Sequence, residues 1–417
     1  MNGERRVSVV ASVLAAVAAA EGGRRLLEPR APAVEPVTVE LGAYFSEAEI
    51  ARGRHYARPQ LALSFARSAL QLGALAVATR RPPGVLRRRW RRPAQGGAIG
   101  AAALSLGLSV PMLPLRALSR RRAMAAGLDT QSWRGWGSDL LKAGAIELGV
   151  SAAAGAAAVA TTRRYPRRWW APAAVSSVGL GAALAALAPV ILDPIFNDFE
   201  PLPEGETRSD VFELARAAGV SVGDVYSIDA SRRTTAANAY VSGLGPTKRV
   251  VLYDTLLDRY SRDEIRLVVA HELGHVRHRD VPCSVLFAAI VAPAAAYAVQ
   301  RLSRELSGAE PGTPATLPGL GLAMVLVSAP IGIIGNRLSR ALERRADHFS
   351  LELAGAPEAF VSFERAIALQ NLADLAPPRW MSTLLATHPP TAERIGAAVA
   401  FAQAHAPAAG PVAGASV

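Results

Sequence analysis

The sequence predicts a mainly α fold: a multi-span helical membrane bundle with a small β element. Three observations lead there. The 417 residues are 51% hydrophobic, with a mean hydropathy of +0.20 and only 19% charged, too apolar for a soluble domain with its usual quarter of charged residues. Long runs of Ala, Leu, Val and Gly alternate with short arginine clusters. Two polar stretches separate or follow these runs, and the first contains short β-branched and aromatic segments.

An α-helix needs about 20 mostly apolar residues to cross the hydrocarbon core. Runs of that kind lie at roughly 60–79, 96–117, 140–161, 170–192, 283–300 and 317–335. A shorter one, Val7 to Ala20, follows Arg5 and Arg6. It reads as a first membrane helix, giving about five helices in residues 1–192; its basic start and small-residue end also describe a signal peptide. The clusters RRPPGVLRRRWRR (Arg80 to Arg92), SRRR (Ser119 to Arg122) and RRYPRRWW (Arg163 to Trp170) punctuate the runs, as interfacial anchors do. With seven spans, the clusters at 80–92 and 163–168 fall on the side opposite the large polar loop, so arginine counts give no clear orientation. The net charge of +12 does not indicate nucleic acid, because the arginines bunch at membrane edges without basic-aromatic interleaving. The single cysteine, Cys283, excludes an intramolecular disulfide.

The chain divides into a membrane region (1–192), a polar segment (193–282), two further membrane helices (283–335), a second polar segment (336–400) and a tail (401–417) whose Ala/Pro/Gly composition reads as disordered. Within 193–282, VGDVYSIDA and KRVVLYDTLL predict two strands or a hairpin. A helix follows. Ser261 is its N-cap with Glu264 completing a capping box, and Ile265, Val268, Val269 and Leu273 supply its apolar side.

The chemistry concentrates in VVAHELGHVRHRD (Val268 to Asp280), which holds three of the seven histidines. On a helix His271 and His275, four apart, project from one face and can bind one zinc ion, with Glu272 turned toward a metal-bound water. Zinc lowers the pKa of its water toward about 7, and a glutamate beside it can take that proton and pass it to a leaving amine. His278 lies off this face. The alternative is an amphipathic helix with exposed histidines. A catalytic zinc takes three protein ligands and keeps one position open, so another ligand must come from elsewhere. NRLSRALERRADHFSLEL (Asn336 to Leu353) reads as a helix that offers Glu343 as that ligand, with Asp347 one turn on placed to accept a hydrogen bond from a ligand histidine.

These residues together resemble a family. HELGH, NAY (Asn238 to Tyr240) before KRVVLYDTLL, NRLSRALERRAD and HPPTAER (His388 to Arg394) occur in the order found in the integral-membrane zinc endoproteases typified by the CAAX prenyl protease, of the gluzincin clan. YFSEAEIARGRHYA (Tyr44 to Ala57) and LDPIFNDFEPLPEGETR (Leu192 to Arg208) are also similar, so the resemblance runs from about residue 40 to 400. It implies a gluzincin-like zinc protease domain carried by the bundle, with one zinc on His271, His275 and Glu343, Glu272 as general base and Asp347 behind the ligands. It implies that His388 stabilises the oxyanion, that Asn238, Ala239 and Tyr240 form an edge strand for an extended substrate, and that Arg394 holds that loop or the substrate, a structural salt bridge being the alternative. The expected partners are the bilayer and a peptide or protein substrate, in the eukaryotic members one with a prenylated C-terminus. The active site is expected to face the cytoplasm. The alternatives are a general membrane-protein quality-control protease and a catalytically inactive membrane scaffold.

Overall fold

The computed structural model describes residues 3–30, 34–243 and 248–406. The N-terminal half is helical: α1 (Gly3–Leu27), α2 (Glu47–Arg80), α3 (Gly84–Arg87), α4 (Pro93–Ser109), α5 (Leu113–Ala125), α6 (Trp133–Arg164), α7 (Trp170–Ile191) and α8 (Asp193–Phe196). A mixed segment follows with β1 (Phe199–Pro201), α9 (Glu206–Ala217), β2 (Asp224–Ile228), β3 (Ala239–Ser242), β4 (Arg249–Tyr253), α10 (Asp254–Arg259) and α11 (Arg262–Arg277). The rest is helical again: α12 (Asp280–Leu306), α13 (Leu317–Ala354), α14 (Pro357–Gln370), α15 (Arg379–Leu384) and α16 (Thr391–Ala404).

Six helical segments, beginning at α2, α4, α6, α7, α12 and α13, are long and apolar enough to cross a membrane, so the chain is a multi-pass integral membrane protein. The helix α1 covers the expected first run and packs on α12, with Ala16 and Ala20 fully buried, but it is not among those six. The run expected at 96–117 is broken: a short 3-10 turn at Val110–Met112, containing Pro111, separates α4 from α5, because proline cannot continue the hydrogen-bond ladder. The pairing of α4 with α6 depends on Gly97 and Gly155, where a Cβ on either would collide with the other's carbonyl oxygen; small residues let membrane helices approach this closely.

Two arginine-cluster expectations change. Arg120 is not an interfacial anchor but is 5% exposed, donating to Asp129 (3.0 Å) with its guanidinium 4.5 Å from the Trp133 ring. Trp169 packs inside the bundle against Ala298 and Val327. The Arg120 guanidinium lies over an aromatic face, and the Trp169 indole packs among apolar side chains.

The sheet has strand order β1-β2-β4-β3. The two strands expected as a pair are neighbours but parallel, from Asp224↔Arg249 to Ile228↔Tyr253, so they form no hairpin. The chain between them loops out and returns as β3, which pairs antiparallel with β4 and is an edge. Val225, Val250 and Leu252 from the sheet bury against Leu214 of α9 and Ile265, Val269 and Leu273 of α11. That contact holds α11 flat on the sheet, and the Ser261/Glu264 capping box is present at its start. The expected boundary at 335/336 does not interrupt α13, which runs as one helix of 38 residues. Residues 401–404, expected in a disordered tail, complete α16, with Phe401 buried against Leu267 and Leu351; residues 407–417 lie outside the described residues.

Candidate active site

The helix α11 presents His271 and His275 on one face, with their Nε2 atoms 3.1 Å apart. Each outer nitrogen is tied to a carboxylate: His271 Nδ1 lies 2.9 Å from Asp347 Oδ1 and His275 Nδ1 lies 2.7 Å from Asp280 Oδ2. A proton on each Nδ1 satisfies those acidic acceptors and leaves both Nε2 lone pairs directed at one point. Asp347 is the residue expected from the sequence. Asp280 was not expected; it reaches His275 because Arg279 adopts a left-handed φ of 59°, which ends α11 and turns the chain back beneath its last turn. Arg345 of α13 holds the other oxygen of Asp280.

The helix α13 crosses α11 at Gly274, where an added Cβ would lie 3.0 Å from Phe349 Cδ1. The approach brings Glu343 to the histidines, its carboxylate oxygens 3.4 Å from His271 Nε2 and 3.6 Å from His275 Nε2. Both Nε2 atoms and the Glu343 carboxylate thus converge on one point. The donors of a tetrahedral zinc with bonds of about 2.0–2.1 Å stand roughly 3.4 Å apart, which matches this triangle, and Glu343 Oε2 is buried with no hydrogen-bond partner among the described residues. The donor set, two imidazoles and a carboxylate, fits a catalytic zinc.

Glu272 faces a cavity of about 200 Å³ bounded by Asn238, Leu256, Phe363, Ile367 and His388. Burial pushes its carboxyl above the usual range, while His271 and His275 pull the other way. His388 closes the opposite side with Nε2 3.4 Å from Glu343 Oε2, and it remains 63% exposed. Asn238 is exposed at the edge of the cavity, whereas Ala239 is 3% exposed and points into the core. The Tyr240 hydroxyl donates to Asp193 at 2.8 Å. His278 stays outside the cluster, its ring 5.3 Å from that of Phe349.

Arg394 lies behind His271, on the far side of Asp347. Its guanidinium donates to both oxygens of Asp347 (2.9 and 2.5 Å) and lies 2.5 Å from Glu364 Oε1. Glu364, from α14, is 2% exposed; burial drives its carboxyl up to about 7 against the pull of Arg394. Neither its helix nor its spacing marked it in the sequence.

An HExxH helix crossed by a second helix that adds a glutamate, at the end of a membrane bundle, defines a membrane-embedded metalloendopeptidase. Residues 201–402 match the model of peptidase family M48. The chain is 30% identical over 300 residues to the uncharacterized metalloprotease YhfN of Bacillus subtilis, covering 70% of each. It is 31% identical over 226 residues to a CAAX prenyl protease 1 homolog of Oryza sativa subsp. japonica, covering 52% of this chain and 53% of that one. Its fold is similar to the crystal structure of S. mikatae Ste24p, with a TM-score of 0.74, 20% identity, and coverage of 95% of this chain and 100% of that one. The chain belongs to peptidase family M48, and so takes a metal cofactor and a peptide or protein substrate.

Proposed function

We propose that the chain holds one zinc ion on His271, His275 and Glu343 and hydrolyses internal peptide bonds, with Glu272 as general base. The convergence of two Nε2 lone pairs and an unpartnered carboxylate oxygen carries this reading. Zinc at that position would polarise a water and the scissile carbonyl. Glu272 would accept a proton as the water oxygen bonds to the carbonyl carbon, then deliver it to the nitrogen as the C–N bond breaks. His388 would donate to the carbonyl oxygen as charge develops there. An extended substrate would add to the free edge of β3, with Asn238 as a side-chain donor and the backbone of Ala239 and Tyr240 as pairing groups. Arg394 would act by holding Asp347.

The proposed catalytic face is cytoplasmic, as the family resemblance implies, and the proposed substrates are proteins with a lipidated C-terminus, a reading that the likeness to CAAX prenyl protease homologues supports. The decisive measurement is elemental zinc alongside peptide cleavage for the purified full chain, His271→Ala and Glu343→Ala. One zinc per wild-type chain, lost together with cleavage in both variants, is expected; a zinc-free wild type ends the proposal. Prenylated and unprenylated versions of one peptide then separate the substrate class from general membrane-protein quality control, which predicts equal rates.

A further inference from the structure

The assigned ligands leave one buried acid unused. Glu364 is 2% exposed, sits on α14 rather than on either ligand helix, and has the Arg394 guanidinium 2.5 Å from its Oε1. Arg394 in turn grips both oxygens of Asp347, and Asp347 meets His271 Nδ1. The groups form one buried line: Glu364, Arg394, Asp347, His271. The Phe360 ring, 5.5 Å from the guanidinium carbon, covers Arg394.

The charges around this line are already committed. Arg344 pairs with Glu393, and Arg345 with Asp280. In the cluster itself Glu343, Asp347 and Glu364 face Arg394 as the remaining guanidinium. A dication at the ligand triangle makes that group neutral, with Glu272 left to gain and lose its proton. Without Glu364, the whole positive charge of Arg394 would fall on Asp347. Asp347 would then be a poorer acceptor for His271, and the site would carry an excess positive charge against an incoming cation. Uncompensated charge in a water-poor interior is costly.

We propose that Glu364 is a positioning residue for the metal: by sharing the charge of Arg394 it keeps Asp347 available to His271 and tunes the site for a divalent cation. It touches neither substrate nor metal. The inference rests on the zinc assignment above.

The test uses the detergent-purified full chain at pH 8, above the value of about 7 to which burial raises the Glu364 carboxyl. Zinc affinity is read by competition with a chromogenic chelator for wild type, Glu364→Gln, Glu364→Asp and Glu393→Gln, with the thermal midpoint of each metal-free protein measured in parallel. Glu364→Gln should bind zinc about 10-fold more weakly, the lower end of the range for direct partners of ligand histidines, because Glu364 acts through Arg394 and Asp347. Glu364→Asp, which keeps the charge, should recover most of that loss, and Glu393→Gln, which removes an acid one residue from Arg394, should bind as wild type does. A lower midpoint in Glu364→Gln with unchanged zinc affinity would mean a merely structural ion pair and overturn the proposal. Equal losses in Glu364→Gln and Glu393→Gln would replace it with a general effect of net charge. If Glu364→Gln does not fold, Glu364→Met, of similar volume, takes its place under the same expectations. A wild type that binds no zinc would sink the zinc assignment instead, a distinguishable result.

Discussion

Asp280→Asn tests how the second histidine is held. Asp280 accepts from His275 Nδ1 at 2.7 Å through one oxygen and from Arg345 through the other. An asparagine is the same size but has a single acceptor oxygen, so its NH2 group must face one of two donors. If it faces Arg345, a half-buried guanidinium loses its partner; if it faces His275, the imidazole turns or takes the other tautomer and withdraws the Nε2 lone pair. Losing one charge-assisted hydrogen bond costs about 1.5–3 kcal/mol, or roughly 10- to 100-fold in metal affinity, in line with other partners of ligand histidines. Chelator competition on purified wild type and Asp280→Asn measures it directly. Wild-type affinity in a folded Asp280→Asn protein would refute the claim that this carboxylate orients His275.

Three further outcomes follow from the geometry. Glu272→Gln should retain its zinc and lose about 100- to 10,000-fold in kcat, the span of general acid–base catalysis; zinc analysis beside single-turnover cleavage separates the two quantities. His388→Ala should lower kcat about 100- to 1,000-fold, as removal of an oxyanion donor does, and an effect confined to KM would contradict that role. Asp210 is 3% exposed and pairs with Arg262 and Arg266 of α11, which hold its carboxyl below the usual range. A depressed carboxyl contributes stability above its unfolded value near 3.9, and that contribution disappears as pH falls through the lower folded value. Asp210→Asn should therefore lower stability at pH 7 by about 2 kcal/mol and lack the loss that wild type shows below about pH 4, as read by thermal midpoints across pH.

The two residue pairs legible from spacing alone share a property: each joins neighbours four residues apart on one helix. His271 with His275, and Glu343 with Asp347, announce themselves because helical periodicity turns spacing into a shared face. Asp280 does not, since its reach to His275 depends on a left-handed turn at Arg279, a conformation that arginine rarely adopts. Glu364 belongs to a third helix and meets the site only through Arg394, which no local pattern encodes. The membrane helices were legible from length and apolarity. Their limits were not, because the switch from apolar to charged residues at Asn336 changes the solvent around α13 and not its helical propensity. The edge strand at Asn238 to Tyr240 came with the family resemblance, but the parallel pairing of the runs around 222–230 and 248–257 did not, because strand propensity carries no direction.

The uninterrupted path of α13 from the apolar interior to Glu343 makes the distance from bilayer to active site a matter of counting. A residue inserted between Gly332 and Glu343 would turn the carboxylate by about 100° and lift it by about 1.5 Å, taking it off the histidines at once. Inserting four residues would restore its heading but leave it about 6 Å too far along the axis. This rod is indexed: its residue count couples the depth of its apolar stretch to the place where a bond is cut.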